Sequence, residues 1–292
     1  MSNQVYQYIT DKIISELEQE CVPWHKPWKS ADGVRLPTNF TTQKPYRGVN
    51  TFLLAVARLK AGYDSNYWLT FKQVQALGGN VKGERTEMVV FWKLLEKPAQ
   101  NPEVGNETDY IPMLRYYRVF NLDQVTGIKK PSLANLPVFQ PIKEAEEIVS
   151  RYQQQIEVRH GGSRAFYRPS TDAIQMPDRE TFDNPEEYST LFHEFTHSTG
   201  HKTRLNRPGI KETHFFGDEV YSKEELVAEM GAAMICGISG IENKTIKNSA
   251  SYIQSWLAKL KDDKKLVVHA AAAAQKAADF ILVKATQSDD GH

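Results

Sequence analysis

The chain has 292 residues, of which 40% are hydrophobic and 25% are charged. That composition is ordinary for a soluble globular protein, and the length is sufficient for two domains. Its 36 basic and 36 acidic residues cancel, so the net charge indicates no class of partner.

Cysteine content and hydropathy indicate the cellular compartment in which the protein is expected. Cys21 and Cys236 are too few and too far apart for a disulfide framework or a cysteine-type zinc site. No apolar run approaches the roughly 18 residues of a membrane span, and no apolar signal region follows the N-terminus. We therefore expect a cytoplasmic protein without a membrane partner.

Residues 1–128 are predicted to form a small α+β domain. Apolar residues at helical spacing indicate a helix over residues 4–20, and a second helix is expected to end at Gly62. A third helix is predicted to begin at Thr70, a residue type that caps helices. The segments EMVVFWKLLE and LRYYRVFNLDQV indicate two strands joined by a long hairpin loop over residues 96–112.

Aromatic residues stand among cations in the irregular N-terminal segment and shortly after it. Flat rings can stack on bases while cations neutralise phosphates, so this pattern predicts a surface for single-stranded DNA. The alternative interpretation is that the two tryptophans anchor a core. The candidate DNA-binding residues are Trp24, Lys26, Trp28, Lys29, Lys44, Tyr46 and Arg47.

A second domain is predicted to follow a proline-rich linker. Residues 129–142 contain three prolines and are the expected linker. The domain itself is expected over residues 143–285, with a first helix, two short strands on either side of a turn near Pro169–Asp172, and two alanine-rich helices at the end. Residues 286–292 are predicted to be a disordered tail.

The strongest motif is HEFTH at residues 193–197. Asn184 as a cap and Gly200 as a left-handed stop predict a helix around it. His193 and His197 lie one turn apart on the face opposite to the apolar side chains, so both imidazoles can bind a metal ion, and Glu194 can take a proton from water that the metal activates. The alternative is a solvated helix face.

A catalytic metal centre of this kind needs a third protein ligand. His201 is a weak candidate because Gly200 is expected to end the helix before it. Glu225 and Glu229 lie one helical turn apart downstream, so one can bind the metal while the other orients a ligating histidine. Alternatively, Ser222 and Glu225 form a capping box at the start of that helix.

The loop between the two motifs contributes candidates for substrate activation. Side chains that donate hydrogen bonds can polarise a carbonyl or stabilise an oxyanion. The alternative for each is a surface residue without a catalytic role. The residues concerned are Arg204, Arg207, and the candidate oxyanion stabilisers His214 and Tyr221.

Two resemblances extend this interpretation. The pattern E-x-x-A-E with the following Gly231 resembles the second motif of Glu-zincins, which implies Glu225 as the metal ligand and Glu229 as its supporting acid. In zincins an edge strand commonly borders the cleft, and Ala173–Met176 is expected to take that place. The stretches PWHKPW, PTNFTTQKPYRGVN, YWLTFKQVQALGGNVKGE, RYYRVFN, AFYRPSTDAIQMPDRETF, HEFTHSTGHKTRLNR and EELVAEMGAA resemble the ArdC antirestriction family.

The ArdC resemblance implies an α+β chain of two domains, a small single-stranded-DNA-binding domain and a zincin-like metallopeptidase domain. It further implies Zn²⁺, with Mn²⁺ as an alternative, and a role in protecting incoming plasmid DNA from restriction in a recipient bacterial cell. The protein substrate would be DNA-bound or part of a restriction system. Two alternatives remain open: a pure DNA-binding protein with a structural metal, and a DNA-guided protease.

Overall fold

The computed structural model describes residues 2–25, 36–98, 108–130, 140–178, 184–210, 219–241 and 249–283. Within this part of the chain the fold is α+β and has two domains, as predicted. No helix found there is long and apolar enough to cross a membrane. The predicted tail and most of the predicted linker lie outside the described residues, and the domain boundaries stay a prediction.

The N-terminal domain combines helices with a four-stranded sheet of order β1-β2-β4-β3. Strands β1 and β2 are parallel, and the other neighbours are antiparallel. The strands β3 and β4 extend into the predicted loop 96–112, so their connection is shorter than expected. The elements are α1 (Ser2–Leu17), β1 (Thr38–Asn39), α2 (Val49–Ala61), β2 (Tyr67–Thr70), α3 (Phe71–Ala76), β3 (Glu87–Pro98) and β4 (Thr108–Asn121).

Local sequence signals set the helix ends in this domain. Gly62 adopts the left-handed conformation, with φ at 69°, and its N–H bonds the carbonyls of Arg58 and Leu59. The Thr70 N–H donates to the Gln73 side chain at 2.8 Å, while the Thr70 hydroxyl accepts from the Gln73 N–H. Both predicted helix boundaries are therefore confirmed.

The two domains share one hydrophobic core. Its largest cluster combines buried residues of α1 and α2 with residues from the C-terminal helices. Trp24 illustrates this junction, because its ring meets Phe52 at 6.1 Å and Trp256 at 5.2 Å between ring centroids. Nearby, the Asn50 amide pairs with both backbone groups of Val90 and so satisfies the edge of β3 at that residue.

The C-terminal domain contains five described helices and a three-stranded sheet of order β5-β7-β6. Strand β7 pairs with β5 in parallel and with β6 in antiparallel orientation, so it is central. The predicted edge position of Ala173–Met176 is therefore wrong, and β6 is the edge that lies beside α5. The elements are α4 (Pro141–Tyr152), β5 (Glu157–His160), β6 (Phe166–Arg168), β7 (Ala173–Met176), α5 (Asn184–Ser198), α6 (Glu219–Ser239), α7 (Ser249–Asp262) and α8 (Leu266–Leu282).

A close approach between α5 and α6 positions the site. Gly231 on α6 faces Thr196 on α5, and a Cβ atom at Gly231 would lie 2.5 Å from the Thr196 Cγ2. Only glycine leaves room for the two helices at this point. The acidic side chains of α6 are thereby brought against the histidines of α5.

Candidate metal centre

Helix α5 presents two opposite faces, one to the core and one to α6. Leu191, Phe192 and Phe195 are buried in the core, whereas His193 and His197 face the acids of α6. The helix ends at Ser198, close to the predicted stop.

Gly200 does not adopt the left-handed conformation that was predicted for it. The reason for a glycine is instead space, because a Cβ atom there would lie 2.5 Å from the Ile210 Cγ1 and 3.0 Å from the Arg207 Nη2. The chain therefore packs tightly just after α5.

Three side chains converge at the interface of α5 and α6. The Nε2 atoms of His193 and His197 are 3.0 Å apart. Glu225 lies opposite them, with Oε1 at 3.3 Å from the His197 Nε2 and Oε2 at 3.6 Å from the His193 Nε2. One ligand atom from each residue lies within 4.8 Å of the others. We call these three residues the metal cluster.

Two further carboxylates lie behind the histidines. The Glu229 Oε1 is 3.1 Å from the His193 Nδ1, and the Glu224 Oε1 is 3.5 Å from the His197 Nδ1. In a neutral imidazole, a carboxylate beside Nδ1 favours the tautomer with the proton on that nitrogen, which leaves the Nε2 lone pair directed at the cluster. Both donor nitrogens are thus prepared for a metal ion.

Arg207 connects Glu224 to the end of α5. Its guanidinium forms an ion pair with Glu224, donates to the Thr196 carbonyl at 2.7 Å and to the Thr199 hydroxyl at 2.6 Å. The side chain is largely buried, so its contacts compensate a buried charge. Arg207 supports the metal cluster from behind rather than facing a substrate.

Arg204 connects the end of α5 to the turn between β6 and β7. It donates to the Ser198 carbonyl at 2.8 Å and forms an ion pair with Asp172, which also accepts from the Tyr167 hydroxyl at 2.8 Å. The His201 Nδ1 lies 2.8 Å from the Thr203 hydroxyl, and His201 is not part of the metal cluster. This network fixes the β6–β7 turn on α5.

Two candidate oxyanion stabilisers and the predicted capping box remain to be placed. His214 lies outside the described residues, as does the side chain of Tyr221, whose backbone belongs to α6. Helix α6 begins at Glu219, three residues before Ser222. Ser222 is therefore not at the start of the helix, and the capping-box interpretation of Ser222 and Glu225 is wrong.

Glu194 is buried beside the metal cluster. The Tyr167 backbone N–H, on the edge strand β6, donates to its carboxyl, and burial raises the pKa of that carboxyl. Burial alone would lower the pKa of His197, but the carboxylates of Glu225 and Glu224 raise it well above its usual value. The site is thus a pocket of buried carboxylates around two imidazoles.

This donor set fits a divalent cation. Two imidazole nitrogens and one carboxylate are the ligands that zinc takes in hydrolases, and the additional carboxylates leave buried negative charge that a cation compensates. Sequence reasoning did not single out Glu224. The only signal was its place in the acidic run SKEE, beside Glu225.

The candidate DNA-binding residues have different environments. Trp24 is fully buried, as the alternative interpretation of a core anchor proposed. Lys44 and Arg47 are exposed, and both line one cavity together with Tyr46. The positions Lys26, Trp28 and Lys29 lie outside the described residues.

Comparisons with known proteins cover both halves of the chain. Residues 3–120 match the family described as the N-terminal domain of anti-restriction factor ArdC, and residues 143–273 match a zincin-like metallopeptidase family. Crystal structures of the antirestriction ArdC protein from the R388 plasmid, metal-free and Mn(II)-bound, superpose with TM-scores of 0.77 and 0.75 at 37% and 36% identity. Each covers 94% of this chain and 96% of that one.

Three relatives match nearly the whole of this chain, but they differ in their own length. The uncharacterized protein y4eC of Sinorhizobium fredii is 37% identical over 98% of this chain and 93% of its own length. Two proteins of Escherichia coli called DNA primase TraC are 33% and 32% identical over 95% of this chain. The chain spans only 20% and 27% of those two proteins.

Proposed function

Because the chain belongs to the ArdC antirestriction family, we propose that it binds single-stranded DNA without sequence preference and protects incoming plasmid DNA from host restriction. We further propose that its C-terminal domain is a zinc-dependent metallopeptidase of the Glu-zincin type. The observation that carries the second proposal is the convergence of His193, His197 and Glu225 beside the buried acid Glu194.

The proposed chemistry assigns a separate task to each residue. His193, His197 and Glu225 would hold the metal ion, and Mn²⁺ is an alternative to Zn²⁺ because a related ArdC structure contains Mn(II). The ion would supply Lewis acidity, which polarises a carbonyl and activates water. Glu194, held by the Tyr167 N–H, would take the proton from the attacking water and pass it to the leaving amine.

The edge strand β6 supports a polypeptide as the substrate. Among the described strands it pairs only with β7, and it carries the backbone group that holds Glu194. An extended peptide can add to such an edge through main-chain hydrogen bonds. The scissile bond would then pass over the metal cluster, and a DNA-bound or restriction-related protein is the class of substrate that we propose.

Two domains with different chemistry imply that protection and hydrolysis can be separated. Glu194→Ala removes the proton acceptor and leaves all three residues of the metal cluster. If occupation of single-stranded DNA gives protection, this variant still protects incoming plasmid, whereas neutralising Lys26, Lys29, Lys44 and Arg47 together abolishes protection.

The test is the efficiency of plasmid transfer into a restricting recipient. The Glu194→Ala protein must first be shown to be folded and loaded with metal. If the plasmid that encodes it then transfers no better than a control plasmid without the gene, protection depends on catalysis. That outcome would favour the rival function, a DNA-guided protease. If the wild-type chain cleaves no protein, either with or without single-stranded DNA, the result would favour a DNA-binding protein with a structural metal.

A further inference from the structure

A cavity of about 630 Å³ lies at the junction of the two domains. Its walls come from one face of β3 and β4, from the segment 44–50, and from helix α8 of the C-terminal domain. We call it the junction cavity. Its volume falls in the range of about 300–1,000 Å³ that is typical of small-ligand sites.

Three aromatic rings form one wall of the junction cavity. The ring centroids of Tyr46 and Phe91 are 6.5 Å apart, and those of Phe91 and Tyr117 are 5.5 Å apart. In the strand register Tyr117 pairs with Val89, whose side chain also lines the cavity, so these residues share one face of the sheet. Phe91 is 44% and Tyr117 54% exposed, although both are large apolar residues on a sheet.

Cations surround this wall. Lys44, Arg47 and Lys276 line the cavity, and Asp279 is the one acid among its described lining residues. Arg115 stands directly opposite Phe91 on β4 and is exposed, which extends the positive charge along the sheet. A partly exposed aromatic wall with a cationic rim matches a base attached to a phosphate.

We propose that the junction cavity binds one nucleotide of a DNA single strand, with the base against Phe91 and Tyr117 and the phosphate beside Lys44 and Lys276. This inference rests on the proposed DNA-binding function and gives it a location. Bases in a duplex are stacked on their neighbours and cannot enter a cavity, so the site selects single strands.

The C-terminal domain is part of this DNA site. Helix α8 contributes Lys276 and Asp279, and Asp279 forms an ion pair with Arg47 across the junction. The Gln275 side chain accepts from the Gly48 N–H at 3.0 Å and holds the two walls together. A phosphate beside Lys44 and Lys276 also attracts Arg47 away from Asp279 and is repelled by that carboxylate, so Asp279 opposes binding.

The first test uses the full chain and a fluorescently labelled oligothymidylate, with anisotropy as the readout. Tyr117→Ala and Phe91→Ala should each weaken binding by roughly 5–150-fold, the range expected for loss of one stacked base. Tyr116→Ala is the matched control, because Tyr116 is 43% exposed on the opposite face of the same strand and does not line the cavity. It should bind like the wild type.

A second pair of variants tests the contribution of α8. Asp279→Asn should bind more tightly, because it removes the acid and releases Arg47, and a gain of affinity cannot come from unfolding. Lys276→Gln should bind more weakly and reduce the slope of log affinity against log salt by about 1. Unchanged affinity in both variants would overturn the placement of DNA at the junction.

The outcomes separate this inference from the function on which it rests. A wild-type chain that does not bind the oligonucleotide contradicts the DNA-binding function itself. If the wild-type chain binds the oligonucleotide and the Tyr117→Ala and Phe91→Ala variants bind it as tightly as the wild type, only the assignment of the DNA site to the junction cavity is overturned. Equal losses in Tyr117→Ala and in the Tyr116→Ala control would also overturn it.

Discussion

The metal cluster and the junction cavity differ in how their side chains are held. Each histidine of the metal cluster lies between two carboxylates, and Arg207 in turn holds Glu224. In the junction cavity, Phe91 and Tyr117 contact each other but remain about half exposed. One site is a buried network with fixed geometry, and the other is an open surface shaped by ring faces and charge.

This difference indicates how each site tolerates change. In a buried network, removal of one partner leaves another polar group without compensation, so its effect spreads to neighbouring groups. At an open surface, removal of a ring eliminates one contact and leaves the fold intact. Substitutions should therefore impair metal binding and stability together at the first site, but impair only ligand binding at the second.

The largest expected effect is on metal content. Glu225→Ala should abolish stoichiometric metal, because two imidazoles alone cannot complete the site. Tyr117→Ala, in the junction cavity, should retain one metal ion per chain. Elemental analysis of the purified variants measures both, and stoichiometric metal in Glu225→Ala would remove Glu225 from the ligand set.

Loss of a supporting acid should have a smaller effect. Glu229→Ala and Glu224→Gln should each weaken metal affinity by about 10–100-fold. Each substitution removes the acid that holds one histidine, His193 or His197, in its tautomer and orientation. Calorimetric titration with Zn²⁺ or Mn²⁺ gives the affinities. A complete loss of metal in Glu229→Ala, with retention in Glu225→Ala, would exchange the two roles.

The last prediction tests the fit between α5 and α6. Gly231→Ala should cost about 1–3 kcal/mol of unfolding free energy, because the added methyl group overlaps Thr196. In a Thr196→Ala background most of that overlap is absent, so the same substitution should cost less. Denaturant unfolding of the four proteins completes the cycle, and equal costs in both backgrounds would show that this contact does not limit helix packing.

The residues that sequence could identify are those linked by local geometry. His193 and His197 are one turn apart on any helix, and the cap at Thr70 and the stop at Gly62 are likewise local patterns. The choice of Glu225 over Glu229 came from a family resemblance, since both acids lie on the same face of α6.

The features that sequence missed depend on contacts between distant segments. The central place of β7 follows from its pairing with two other strands, which no local pattern encodes. The support of Glu224 by Arg207 joins a loop to a helix. Phe91 and Tyr117 lie in strand sequences rich in β-branched and aromatic residues, where the sequence does not tell core positions from exposed ones. Only the three-dimensional arrangement leaves them facing an open cavity with α8 across from them.

The central claim is that His193, His197 and Glu225 together hold one divalent ion. Anomalous diffraction from crystals grown with Zn²⁺ tests it most directly. We expect one peak at about 2.0–2.2 Å from the two Nε2 atoms and from a Glu225 carboxylate oxygen, with Glu229 and Glu224 remaining on the Nδ1 side. A peak coordinated by Glu229, or by Asp172 and His201, whose Oδ2 and Nδ1 atoms are 3.6 Å apart, with none between the two Nε2 atoms, would contradict the account.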